Sequence, residues 1–225
     1  MSEFRRRLMT QVANDPNALP TGCVRCEYLE SYVDSAGGNG QYIDTGRKMT
    51  DTDVFGFEFS IMEGNNSKAA FGWRWAGTSL TKNHCYINTF ADYYSIRFAS
   101  EIPIDISFST GKRQTIEIDP QNNIVRVNGV VYNAARDPKD AYYNGTSVYN
   151  LYIFTTNNIG TPYSGSNTRV YDYWVKDVNG NMVQHLVPIL DQDGIPCMYD
   201  VVGKKFYYNA RTNRQDLFRY KIAEQ

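Results

Sequence analysis

The segment Val54-Phe55-Gly56-Phe57-Glu58-Phe59-Ser60-Ile61 constrains the fold more than any other stretch of the chain. Phe55, Phe57, Phe59 and Ile61 fall on one side of an extended strand, and Gly56, Glu58 and Ser60 fall on the other. A period of two means one buried face and one wet face, as in an antiparallel sheet. Gln114-Thr115-Ile116-Glu117-Ile118-Asp119 repeats the pattern. Asn128-Gly129 and Asn179-Gly180 each sit between apolar runs, a signal for a two-residue type I′ turn with both central residues at positive φ. About a dozen short strands joined by tight turns predict an all-β protein, a two-sheet antiparallel β-sandwich. A chain of 225 residues can bury one large core of this kind.

Residues 1–22 read differently. Glu3 to Val12 can form a short helix with Phe4, Leu8 and Val12 on one face, and Asn14-Asp15-Pro16-Asn17 and Pro20 then break it. A helix this short is marginal alone. The segment is therefore expected to be a helical or extended docking arm and linker, with the sandwich domain over 23–225. Within the arm, Arg5, Arg6 and Arg7 could touch a nucleic acid, an anionic membrane or an acidic protein patch, and their interleaving with Phe4, Leu8 and Met9 more resembles a docking peptide, in which apolar anchors supply affinity and basic residues set register. A solvated terminus is the plain alternative.

Charge excludes some functions. The formal net charge is -1, from 23 basic and 24 acidic residues, which argues against a dedicated nucleic-acid binder. No apolar run is long enough for a spanning helix, and the basic cluster lacks the apolar stretch a signal peptide needs. The chain is accordingly expected to stay in the compartment where it is made. Cys23, Cys26, Cys85 and Cys197 are too few for a disulfide framework. Structural zinc usually takes two local ligand pairs, which Cys23, Cys26, His84 and Cys85 do not supply, so reduced thiols are expected.

Catalytic patterns are incomplete. Glu117-Ile118-Asp119 begins the Glu-x-Asp-x-x-Glu strand motif of β-glucan hydrolases, but Asn122 stands where the second glutamate belongs. A serine triad would need His84 or His185, and no GxSxG elbow accompanies either. Binding chemistry is better represented. Trp73, Trp75, Tyr163 and Trp174 could stack on sugar rings, while core packing explains Trp73 and Trp75 equally well.

Three sets of motifs carry a family resemblance. Glu27-Tyr28-Leu29-Glu30-Ser31, a glycine-containing loop and Gln41-Tyr42-Ile43-Asp44-Thr45-Gly46 resemble the opening of concanavalin A-like, laminin-G-like jelly-roll domains of gut Bacteroidetes phages and prophages. Val127-Asn128-Gly129 matches their central Asn-Gly turn. Val187-Pro188-Ile189-Leu190, Asp193-Gly194, Met198-Tyr199-Asp200 and Lys205-Phe206-Tyr207-Tyr208-Asn209 match their ending. The arm Glu3–Met9 is similar to the N-termini of structural proteins from the same phages. The resemblance implies a non-enzymatic virion protein, a capsid decoration or a tail or fibre component. It would be assembled in the bacterial host cytoplasm, with other virion proteins as partners. It also implies the alternative of a carbohydrate-binding adhesin module for cell-surface or mucus glycans. Calcium at the sandwich rim is a further implication, with Asp51, Asp53, Asp191 and Asp193 as candidate donors beside their ordinary role in turns.

Overall fold

The computed structural model describes residues 18–31, 40–63, 68–74, 85–90, 92–98, 104–133, 146–163, 165–211 and 218–224. The arm residues Phe4, Arg5, Arg6, Arg7, Leu8 and Met9, together with Trp75 and His84, lie outside the described residues. In chain order the strands are β1 (Val24–Glu30), β2 (Ile43–Thr50), β3 (Val54–Ile61), β4 (Lys68–Arg74), β5 (Cys85–Thr89), β6 (Tyr93–Phe98), β7 (Ile104–Ser107), β8 (Gln114–Asp119) and β9 (Ile124–Val127). They continue as β10 (Val130–Asn133), β11 (Thr146–Ile153), β12 (Thr156–Asn158), β13 (Thr161–Tyr163), β14 (Thr168–Lys176), β15 (Met182–Leu190), β16 (Pro196–Asp200), β17 (Lys205–Tyr207) and β18 (Arg219–Ile222).

The strands form two sheets. The larger has ten strands in the order β10-β9-β8-β3-β14-β1-β15-β16-β17, with β18 beside β1 and a direct β14–β15 pairing. The smaller has eight, in the order β13-β12-β4-β5-β6-β7, with β11 joining β2 to β4. Phe55, Phe57, Phe59 and Ile61 are each at most 1% exposed and form the centre of the core, as the alternation predicts. They meet the inner face of the smaller sheet directly. Ring centroids lie 4.3 Å apart for Phe57 and Phe71, 5.7 Å for Phe59 and Tyr94, and 6.0 Å for Phe55 and Trp73. Each such side chain contributes about 1.5–3 kcal/mol by leaving water.

The two sheets are antiparallel as expected, with one local exception, and one of the two expected turns is corrected. The smaller sheet is not wholly antiparallel, because β12 runs parallel to β4, with Asn157 opposite Trp73. The reason is a chain reversal. β11 runs antiparallel to β4 through Ile153, and the next residue, Phe154, takes a φ of 73° that turns the chain back along the same strand. At Asn128-Gly129 both residues have positive φ, as a type I′ turn requires. At Asn179-Gly180 only Gly180 does. There the Asp177 carboxylate accepts the N–H groups of Asn179 and Asn181, and the Gly180 N–H reaches the Asp177 carbonyl at 2.9 Å. These bonds hold a type I turn followed by a left-handed glycine.

A second hydrophobic cluster lies on the other side of the larger sheet. Val187 and Ile189 alternate with the inward-facing Leu186, and they gather with Cys197, Tyr199 and Val201. Leu19, Cys23 and Phe206 pack over this cluster, so the last residues of the linker region lie against the sheet. All four thiols are free. Cys85 is in the main core, whereas Cys23 and Cys197 belong to the outer cluster, so no zinc site forms from Cys23, Cys26 and Cys85. Among the described residues no group of three or more His, Cys, Asp or Glu side chains is placed to hold a metal.

Candidate binding face on the larger sheet

The outward side chains of the larger sheet form the most chemically distinctive surface among the described residues. β14 is its axis. Val170, Tyr173 and Val175 point into the core, which turns Asp172, Trp174 and Lys176 outward. A bulge between Val170 and Asp172 adds Tyr171 to the outer side. Cross-strand register then places Trp174 between Gly56 of β3 and His185 of β15, with Glu117 beyond Gly56 and Arg126 beyond Glu117. The six-membered ring of the half-buried indole occupies the space above Gly56, where a β-carbon would overlap it. The glycine in an otherwise alternating strand thus makes a seat for an aromatic ring.

Charged groups border the indole. The Glu117 carboxylate lies 3.0 Å from Arg126 and 3.5 Å from Lys176. Asp172 lies 2.7 Å from Nε2 of His185. A second group extends from the bulge. Arg113 pairs with Glu58 at 2.6 Å and stacks 4.2 Å above the Tyr171 ring. Its bond to Glu58 holds the Arg113 guanidinium above its ordinary range. Tyr171 meets Tyr28 edge to face at 5.7 Å, and Arg169 lies 4.3 Å over Tyr28 while pairing with Glu30 at 2.6 Å. Such a surface combines an apolar ring face with carboxylates and cations at its rim. That combination suits a sugar, which has an apolar C–H face and a rim of hydroxyls.

The structure separates the aromatic residues singled out from sequence. Trp174 is on this outer face. Trp73 is not available for stacking, because its ring lies in the core at 0% exposure against Phe55. Tyr163 is exposed, but it belongs to the β12–β13 hairpin of the smaller sheet and does not join Trp174. The candidate calcium donors are also dispersed. Asp53 accepts from Arg47 at 3.0 Å and from the Thr50 N–H at 2.9 Å in the β2–β3 turn. Asp191 accepts the N–H groups of Asp193 and Ile195 and the Tyr208 hydroxyl in the β15–β16 turn. Asp119 caps the β8–β9 turn through both the N–H and the side-chain amide of Asn122, the residue that replaces the hydrolase motif's second glutamate. Sequence reading missed Tyr28, Tyr171, Arg113 and Gly56 as members of one surface. Gly56 was the one available signal, as a small residue on the wet side of a strong strand.

No known protein-family profile matches the sequence. No curated protein matches it either. Solved structures do match. A provisionally assigned carbohydrate-binding protein from Bacteroides ovatus ATCC 8483 superposes with a TM-score of 0.54 at 11% identity, covering 90% of this chain and 61% of that one. A Trypanosoma rangeli sialidase gives 0.45 at 12% identity over 66% of this chain and 25% of the sialidase. Mouse laminin α1 domains LG4-5 give 0.40 at 12% identity over 81% and 46%. The chain thus spans about a quarter of the sialidase and 61% of the Bacteroides protein. At 11% identity the likeness to the Bacteroides protein is one of fold, and it agrees with the two-sheet β-sandwich that the alternation predicts.

Proposed function

We propose that this chain is a carbohydrate-binding β-sandwich module that recognises glycans without cleaving them, with Trp174 as its stacking platform. The observation that carries the reading is the indole seated on Gly56 and bordered by Glu117, Lys176 and His185. The sandwich it shares with a provisionally assigned carbohydrate-binding protein supports the same reading. A glycan array probed with the wild type and with Trp174→Ala tests it. Specific binding that disappears in the variant is the expected result. Binding that survives the loss of the indole, or no binding to any glycan at high protein concentration, overturns it.

The virion reading is compatible with this one and has its own support. The ordered motifs resemble phage structural proteins, and Leu19 and Cys23 fix the root of the arm on the sheet. In that setting Phe4, Arg5, Arg6, Arg7, Leu8 and Met9 dock the chain to neighbouring capsid or tail subunits, and the sandwich serves adhesion. Particles that retain a version lacking residues 2–12 at full occupancy would exclude the arm as the anchor.

A further inference from the structure

We infer that the sandwich holds a second binding site, in a cleft between the last strands of its two sheets, and that its ligand is a small apolar acid: a single ring on a short chain ending in a carboxylate. The site does not use the outer face around Trp174, so the two readings stand or fall separately.

The cleft lies where β7 ends the smaller sheet and β10 ends the larger one. In the β9–β10 hairpin Val130 stands opposite Val127, and Tyr132 stands opposite Val125. Val125 and Val127 belong to the core, so the pleat sets Val130 and Tyr132 on the inner face as well. Tyr132 packs against the core, yet Val130 is 56% exposed. Beside it is a cleft of about 260 Å³, whose apolar lining is Ile106, Phe108, Val127, Val130 and Tyr132. An enclosed apolar cavity of about 150 Å³ already takes a benzene ring. This cleft therefore has room for a ring and a short chain.

Its polar groups are few and held in place. Gln114, at 4% exposure, accepts the Tyr94 hydroxyl at 2.9 Å, which fixes its carboxamide at the inner end. Ser107 and Ser109 add hydroxyls, and Lys112 carries the one formal charge among the described lining residues. The Lys112 N–H reaches the Ser109 carbonyl at 3.0 Å, and Gly111 has a φ of 75°, so residues 109–112 form a type II turn. That turn is tied to β3 by the Gly111 N–H, 2.8 Å from the Ile61 carbonyl. The exposed lysine is thus anchored by its backbone beside the cleft while its flexible stem can follow a ligand. An apolar interior with one cation at its border fits a ligand whose ring leaves water and whose carboxylate stays near it. A sugar ring would bring hydroxyls against Phe108 and Val127 without partners for them, and a neutral ring would leave Lys112 unused.

Amide NMR of the full chain, titrated with 3-phenylpropionate, 3-phenylpropanamide and propionate, tests the inference. The amide keeps the ring and removes the charge, and propionate keeps the charge and removes the ring. The acid is expected to shift the Lys112, Gln114, Asn128 and Val130 resonances saturably, with a Kd of about 1 mM or lower. The amide should bind at least about 3-fold more weakly, with the difference shrinking as salt is raised, and propionate should leave these resonances in place. Lys112→Gln, at an exposed position, should bind acid and amide equally, and Val130→Glu should abolish binding of the acid. The dispersion of each variant's spectrum reports its fold. Equal binding of acid and amide by the wild type, an undiminished acid preference in Lys112→Gln, shifts that gather around Trp174 instead of the cleft, or no saturable shift would overturn the inference.

Discussion

The six-membered ring of Trp174 covers Gly56 from the neighbouring strand, and the two residues stand directly opposite each other in register. The seat and the ring define each other. Gly56→Val is therefore expected to push the indole off the sheet. The cost should be about 1–3 kcal/mol, the usual range for overpacking. Glycan binding should fall with it. Denaturant unfolding and intrinsic tryptophan emission check the outcome, and an unchanged emission spectrum would show that the ring does not depend on the glycine.

Trp73 and Trp174 should separate cleanly by mutation. Trp73→Ala empties a core position at 0% exposure and is expected to cost about 3–5 kcal/mol. Trp174→Ala removes a half-buried outer ring and should cost less stability while abolishing binding. Equal stability losses in the two variants would contradict the assignment of one ring to the core and the other to the surface.

Stability should decline in alkali. Burial pushes the Cys26 thiol up to about 11, and burial likewise pushes Cys197 up to about 12. An unfolded thiol begins to ionise near pH 8.5. Above that pH the unfolded chain holds fewer protons than the folded one, so stability falls as pH rises, until the folded thiols themselves ionise. The melting temperature measured from pH 7 to 11 should drop, and Cys26→Ala should flatten the slope. A melting temperature independent of pH across that window would show that the thiols are not sheltered.

Asp191 should behave as a turn residue. Its carboxylate accepts two backbone N–H groups and the Tyr208 hydroxyl. Asp191→Ala is expected to cost about 1–3 kcal/mol by leaving these donors unpaired. Millimolar calcium is expected to leave the melting temperature of the wild type unchanged. A rise of several degrees with calcium would mean that the β15–β16 turn opens to hold the ion.

Much of the architecture was legible because alternation leaves little choice. Once Phe55, Phe57 and Phe59 are buried, Gly56, Glu58 and Ser60 must face outward. Asn128-Gly129 declared its turn because both residues tolerate positive φ. Other features depend on events that alternation cannot register. Trp73 and Trp75 share a parity, so sequence alone could not say whether that side met the core or water. The bulge after Val170 sends Tyr171 outward, out of step with its strand. The reversal at Phe154 places an ordinary bulky residue at positive φ, with no glycine to announce it. The proposed binding face was illegible because Tyr28, Gly56, Arg113 and Trp174 come from distant parts of the chain and meet only across strands.

Leu19 and Cys23 are tucked into the cluster on the outside of the larger sheet. The polypeptide therefore enters the domain on the same broad side that carries Trp174. A scaffold gripping the chain upstream would approach from that flank, and sugar and scaffold would have to share one side of the slab. The length of the tether between them then decides whether the module can hold both at once.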